Sequence, residues 1–566
     1  MTVTDRPVRL ATRPAPRQAV ARLQRVRRRL PVAALEGRFG AWLVAGALLA
    51  CLSGVVAGMR SGPLWLDEAL SVNIARLALF GTGPDTLFGG LRQDGAPPLY
   101  YVLLHGWTRL FGTGTVTVRV LSAVLTLLAL ALVHRLGERL SGCAAARAGV
   151  IVLAALPWTM RYGSETRMYM LVVVLVLGGA VALVELRGRA GAGVPTGAAQ
   201  LALWASATGL LYTHYWSLFL LAAVGAALLP GLVRRGRFEV RAAIALAGSA
   251  LAFTPWLPTF LFQSAHTGAP WAEPLALGEL LRTPLYWGGG TYPARLVLGV
   301  VLLTLGVLAV LRVRALPVVP WGVRPIGAVT LGTLLLAFVA VYVGGGSYTT
   351  RYTAVVVPLL AVLAGCGALR LPGRGPALAL TVLVVVGAVT GVRAAGNSRT
   401  DAFDIAAGFE RAAAPGEMLA YCPDQLGPEV ARLLGPTVPQ RVYPTLAAPD
   451  RIDWTDYTAR QQAADPAAVA RQLSSLAGDR PMFLLSDTRY RTFEGQCEQV
   501  RDELARLRGE PSVVSRNGIW TFPSVPETLA PRLARLQGTD IESVRRLGPV
   551  RALTRYDPPL PSATES

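Results

Sequence analysis

A polytopic α-helical membrane protein with a separate α/β domain at its C-terminal end is the fold class that this sequence predicts. Three observations lead there. Hydrophobic residues make up 52% of the 566 positions and charged residues only 16%, against about 25% charged in average soluble chains. The apolar residues gather in long runs that repeatedly approach the ~20 residues a helix needs to cross the hydrocarbon core. After about Gly396 the pattern stops, and the remaining chain is charged and punctuated by proline.

Residues 1–40 are rich in arginine and lack a signal-peptide cleavage pattern. They are predicted to form a disordered cytoplasmic tail lying near anionic headgroups, with Arg28, Arg29 and Arg38 holding the N-terminus inside. Eleven helices then follow in the transmembrane region 41–395. They lie at 41–59, 116–134, 147–157, 168–186, 199–211, 217–233, 242–258, 294–313, 326–343, 354–369 and 377–392. The stretch 98–134 is too long for one span and too short for two, so its amphipathic first part, 98–111, is read as a helix lying along the outer surface.

All 55 basic residues are arginine, the usage of a G- and C-rich bacterial genome such as an actinobacterial one. A net charge of +21 would suggest nucleic acid for a soluble chain. Here the arginines fall in every loop expected inside: Arg135 and Arg139, Arg187 and Arg189, Arg234, Arg235 and Arg237, Arg312 and Arg314, Arg370 and Arg374. No nucleic-acid partner is expected. An odd number of crossings puts the C-terminus outside the cell membrane.

Residues 396–555 are predicted to build an extracytoplasmic α/β domain, followed by a disordered tail, 556–566. Met418–Tyr421 and Met482–Leu485 look like strands; Ala467–Leu476 and Val500–Leu507 have helical spacing. Cys51, Cys143 and Cys366 fall in or beside spans as small apolar residues. Cys422 and Cys497 share the outer domain, where an oxidising compartment permits a disulfide; two buried thiols are the alternative.

Four motifs fall at the outer ends of spans. The first loop carries Trp65-Leu66-Asp67-Glu68-Ala69, then Gln93-Asp94-Gly95-Ala96-Pro97-Pro98-Leu99-Tyr100-Tyr101. Later come Glu165-Thr166-Arg167-Met168-Tyr169, Thr213-His214-Tyr215-Trp216 and Ser347-Tyr348-Thr349-Thr350-Arg351-Tyr352. Alone, Asp67-Glu68 reads as an acid pair capping a short helix. Arg167 and Arg351 on an outside edge run against the positive-inside bias. Their bland reading is snorkelling, or pairing with Glu165 or Asp67; two-pronged contact with a phosphate explains them better. His214 among Tyr212, Tyr215 and Trp216 has the look of an interfacial aromatic belt. Trp271 and Glu273, in the loop between Pro258 and Ala294, could cover the site, with Gly288 to Gly290 giving that loop freedom. No zinc spacing, P-loop, Rossmann glycine pattern or serine-hydrolase elbow occurs.

In this order, over about residues 41–395, the motifs resemble the GT-C superfamily of membrane glycosyltransferases, in the branch of the protein O-mannosyltransferases and the lipid A aminoarabinose transferase. Many relatives have histidine directly before the two prolines, where this chain has Ala96. The resemblance implies transfer of a sugar, mannose or arabinose-like, from a polyprenyl-phosphate donor to an extracytoplasmic hydroxyl on a cell-wall polysaccharide, glycolipid or protein. It makes Asp67 the catalytic base. Glu68, Asp94, Arg167, Tyr169, His214, Arg351 and Tyr352 are the expected substrate-binding residues. No resident cofactor is assigned and a divalent cation is left open. A transporter or lipid flippase is the rival class, but it calls for mid-span polar residues, inverted repeats or broken helices. The ionisable residues here sit at the rims.

Overall fold

The computed structural model describes residues 35–268, 275, 278–289, 292–312, 322–344, 348–487, 495–517 and 551–558. The expected tails before Leu35 and after residue 558, with Trp271, Glu273, Gly290 and Ser347, lie outside the described residues.

Among the described residues, α1 (Arg38–Met59) is followed by a loop carrying α2 (Leu66–Ala75) and α3 (Leu87–Asp94). Then come α4 (Leu99–Phe111), α5 (Thr115–Ser141), α6 (Cys143–Ala155), α7 (Pro157–Tyr162), α8 (Tyr169–Ala192) and α9 (Gly197–Leu211). The bundle continues with α10 (Ser217–Val233), α11 (Arg237–Phe253), α12 (Leu257–His266), α13 (Gly278–Gly288), α14 (Ala294–Val310), α15 (Val323–Gly344), α16 (Val357–Ala368) and α17 (Gly375–Ala395). Each of the eleven stretches expected to span contains helix. Among the described residues, six are long and apolar enough to cross a membrane: α1, α5, α8, the run Arg237–His266, α15 and α17. The helices α6, α10, α14 and α16 are apolar but shorter.

Local sequence explains the short ones. Leu156 is extended and Pro157 follows it, because the residue before a proline disfavours helical backbone; α6 ends there. All but two of the thirteen residues of α6 are buried, so the helix sits inside the bundle. Small residues allow the close packing: a Cβ on Gly387 of α17 would collide with the Ala155 carbonyl of α6, as expected where membrane helices approach through glycine. Arg147 ties the segment before α1 to this core, donating to the carbonyls of Leu35, Glu36 and Gly37 at 2.7, 2.8 and 3.0 Å.

The amphipathic stretch is one helix, α4. It buries Tyr100, Tyr101, Leu104 and Thr108 and leaves Leu103, Leu110 and Phe111 exposed. Pro98 stands immediately before it, where a missing N–H costs nothing.

Beyond α17 the chain builds a five-stranded sheet, ordered β2-β1-β3-β5-β4. Its strands are β1 (Met418–Cys422), β2 (Gln440–Val442), β3 (Met482–Asp487), β4 (Ser512–Asn517) and β5 (Arg551–Tyr556). β1 runs parallel to β2 and β3, whereas β5 is antiparallel to β3 and β4. Both predicted strands fall within β1 and β3, whose every residue is buried, the mark of strands covered on both faces. One face packs α20 (Tyr457–Gln462), α21 (Pro466–Ala477) and α22 (Gln496–Arg508) through Tyr457, Val469, Leu473, Val500 and Leu504. The other packs α18 (Ala402–Ala412) and α19 (Gly427–Leu434) through Ile405, Phe409, Val430 and Leu434. Cys422 and Cys497 are disulfide-bonded, joining β1 to α22. β5 reaches Tyr556, whose side chain is fully buried, so the sheet takes in the first residue of the expected tail.

One helix belongs to both parts. Leu70 of α2 is buried in the core of the C-terminal domain and Leu66 packs against it, while Ala69, Val72 and Ile74 belong to the core of the membrane bundle.

Candidate active site

Helix α2 starts at Leu66, so Asp67 and Glu68 occupy its first turn, where the helix dipole favours negative charge. Adjacent helical residues point about 100° apart, and here that separates their fates.

Glu68 points inward. It is fully buried, as is its partner Arg119 on α5, and the pair is two-pronged: Nε donates to Oε1 at 2.9 Å and Nη2 to Oε2 at 2.6 Å. Arg119 also donates to the carbonyls of Gly58, Met59, Gly62 and Pro63 at 3.0–3.3 Å. It thereby satisfies carbonyls at the C-terminal end of α1 that a helix leaves open. The Thr166 amide donates to Glu68 Oε1 at 2.9 Å. Glu68 was expected to bind substrate, but both its oxygens are engaged inside the protein, which makes it the anchor of α2. Beside it Glu165 receives Arg399, the residue that leads into the C-terminal domain, at 3.0 Å.

Asp67 points away from that buried pair and stays partly exposed. Its Oδ2 lies 2.7 Å from Nη1 of Arg351 and 3.9 Å from Nη2 of Arg167. Its Oδ1 receives no hydrogen bond among the described residues. The three side chains keep 17%, 19% and 13% of their surface exposed. Arg167 is fixed from behind: Nη1 donates to the Asp67 carbonyl at 3.3 Å, to Ser71 Oγ at 3.0 Å and to the Tyr101 hydroxyl at 3.4 Å. Tyr101 in turn donates to Asp94 Oδ2 at 3.2 Å. The surrounding protein pushes the Asp94 carboxyl above the usual carboxylate range, chiefly by desolvation, with Arg167 opposing. Gly95, at φ +80°, ends α3 and turns the chain toward the two prolines, a left-handed position that suits glycine.

The fourth wall is aromatic. The His214 ring lies 5.0 Å from Tyr352 and 6.1 Å from Tyr169, and its Nδ1 accepts from the Trp216 amide at 3.2 Å. The Tyr169 hydroxyl is buried with no hydrogen-bond partner among the described residues. The Leu99 amide donates to the Tyr212 carbonyl at 2.8 Å, which docks the Pro-Pro helix onto the Thr213–Trp216 motif.

All four motifs therefore meet on the face that bears the C-terminal domain. Asp67, Asp94, Arg167, Tyr169, His214, Arg351 and Tyr352 converge; Glu68 lies behind them. Sequence reading missed Arg119, Ser71 and Tyr101 as functional groups, and Arg399 as a tie. Arg119 carried a usable signal, since it stands close to the start of a span on the supposedly arginine-poor side, like Arg167. Among the described residues, no group of three or more His, Cys, Asp or Glu side chains could hold a metal ion.

No protein-family model and no curated protein sequence matches the chain. Solved structures do. ArnT from Cupriavidus metallidurans, crystallised with undecaprenyl phosphate, matches with a TM-score of 0.56 at 14% identity, covering 92% of this chain and 98% of that one. The same protein in its apo state matches over the same shares with a TM-score of 0.58. At that identity the likeness speaks for the fold alone: the chain is a polytopic membrane protein that shares the fold of ArnT.

Proposed function

We propose that the chain transfers a sugar from a polyprenyl-phosphate donor to an acceptor hydroxyl on the extracytoplasmic face of the cell membrane. The observation that carries this reading is the state of Asp67. One oxygen is held by two arginines, the other is without a hydrogen bond among the described residues, and the carboxylate stays partly open. Asp67 Oδ1 takes the proton as the acceptor oxygen bonds to the anomeric carbon. The bond from that carbon to the phosphate oxygen breaks, and its electron pair leaves with the polyprenyl phosphate. Arg351 and Arg167 stabilise the charge that collects there. A single displacement inverts the anomeric carbon. Asp94 and Tyr101 orient Arg167; Tyr169, His214 and Tyr352 form a wall for the sugar.

Two further observations support the donor class. ArnT, whose fold this chain shares, was crystallised with undecaprenyl phosphate. An apolar cavity of about 190 Å³ is lined by Leu210 and Leu220, which flank His214 in sequence, and by Val176, Leu203 and Val329, a surface suited to an isoprenoid chain. The arginine alternation supports eleven crossings with the N-terminus cytoplasmic and the C-terminal domain outside, where a lipid-linked donor is needed in place of a nucleotide sugar. Mass spectrometry of lipid copurified with the full chain tests the proposal. A polyprenyl-phosphate sugar is expected; ordinary phospholipid alone, with no turnover of added polyprenyl-phosphate sugars, contradicts it.

A further inference from the structure

A cleft of about 580 Å³ separates the C-terminal end of α2 from the C-terminal domain. Three arginines line it: Arg76 just after α2, Arg432 on α19 and Arg441 on β2. Asp450 is the one acid in the lining. Arg432 donates to the Thr113 carbonyl and Arg441 to the Gln440 carbonyl. None of the three forms an ion pair among the described residues. Burial, and after it the charge of Arg76, disfavour the charged form of Arg432. The cleft thus gathers more positive charge than it neutralises, which a bound anion would relieve.

Thr113 places this cleft relative to the membrane. It lies between α4, on which Leu110 and Phe111 are 78% and 57% exposed, and α5, on which Val116 is 49% exposed. α5 is a candidate span beginning at Thr115. Bare apolar side chains at the mouth of a span suit acyl chains, and arginines beside them stand at headgroup level. The cleft is separate from the site around Asp67. Nine residues carry Arg76 two and a half turns along α2, to the opposite side of the helix and about 13 Å away.

We propose that this cleft binds the phosphate of an anionic membrane lipid. Arg76 and Arg441 grip the headgroup from two walls, Arg432 closes the floor, and Leu110, Phe111 and Val116 take the acyl chains. The lipid would bridge the C-terminal domain to the helix that carries Asp67.

The test uses the purified full chain in a neutral detergent, titrated separately with phosphatidylglycerol, phosphatidylcholine and inorganic phosphate, with bound ligand counted by native mass spectrometry. Wild type should retain phosphatidylglycerol at least about tenfold more tightly than phosphatidylcholine. Arg76→Gln with Arg441→Gln should remove that preference, because each charge-assisted hydrogen bond lost weakens binding roughly tenfold or more. Neither side chain is buried, so folding should survive; Arg76→Gln alone, with a smaller loss, keeps the test readable if it does not. Equal retention of the two lipids, or an unchanged preference in the variants, overturns the proposal. Binding of inorganic phosphate without selective retention of phosphatidylglycerol overturns the lipid assignment.

Discussion

Replacing Glu68 by glutamine should unfold this protein more readily, although the adjacent Asp67→Asn should not. The amide would keep the shape and one acceptor oxygen but leave the Arg119 charge buried without a counter-ion. Both side chains of the pair are fully buried. Removing one partner of such a pair typically costs about 3–5 kcal/mol, because the remaining charge stays desolvated. Two charge-assisted bonds at 2.9 and 2.6 Å are affected, each worth roughly 1.5–3 kcal/mol, which agrees with that range. Four carbonyl contacts from Arg119 survive the change, so a loss near the low end, about 3 kcal/mol, is expected. Arg119→Met should be worse, because it strands Glu68 and four carbonyls together. Asp67 is partly exposed and its acceptor role is local, so its asparagine variant should lose about 1 kcal/mol or less. Denaturant titration of the three variants in one detergent measures these differences. If Glu68→Gln matched wild type within about 0.5 kcal/mol, far below the cost of stranding a buried charge, the anchor reading of Glu68 would be refuted.

Other outcomes follow from the same geometry. Arg351→Lys should cut transfer far more than its retained charge suggests, since lysine loses the planar fork for two phosphate oxygens; near wild-type turnover would shift the phosphate role to Arg167. A reporter active only in the cytoplasm should be silent when fused after Ala395 and active after Arg235, and the reverse pattern would place the site on the cytoplasmic side. Burial raises the Asp424 carboxyl to about 7, above its value of about 4 in an unfolded chain. The folded protein then holds the extra proton between those limits, so this contribution is full below about pH 4 and lost as pH rises to about 7. Asp424→Asn should flatten that part of a stability profile, and an unchanged profile would rule Asp424 out as its source. Replacing Cys422 and Cys497 by serine opens a closure of 75 residues, worth on the order of 4 kcal/mol in the chain-entropy estimate, and should lower the unfolding midpoint of the C-terminal domain.

The helices of the membrane region were legible because apolar length is a one-dimensional signal. Every expected span contains helix, and β1 and β3 stand out as fully buried apolar runs. Other parts depend on partners distant in sequence. β5 pairs with β3 from far along the chain, and its own sequence, Arg551–Tyr556, alternates polar and apolar too weakly to declare a central strand. The acid pair was visible, but not which acid is buried and which stays partly exposed. That depends on Arg119, an arginine inside a span whose purpose only the α2–α5 contact reveals. The pairing of Arg351 with Asp67 was among the bland readings of the motif; the structure joins it to the site, since the same guanidinium that holds Asp67 stays partly exposed. The contribution of the C-terminal domain was not visible at all, because it rests on Leu66 and Leu70 alternating with Asp67 and Glu68 around one short helix.

Sugar transfer by purified wild type and Asp67→Asn from one polyprenyl-phosphate sugar pool tests most directly whether Asp67 takes the acceptor's proton. Asparagine matches the carboxylate in size but cannot accept the proton at neutral pH. The variant should bind donor lipid as wild type does, keep its stability to within about 1 kcal/mol, and turn over roughly 10²–10⁴-fold more slowly. Transfer by Asp67→Asn at close to the wild-type rate would contradict a base role for Asp67 and leave Asp94 as the carboxylate to test next.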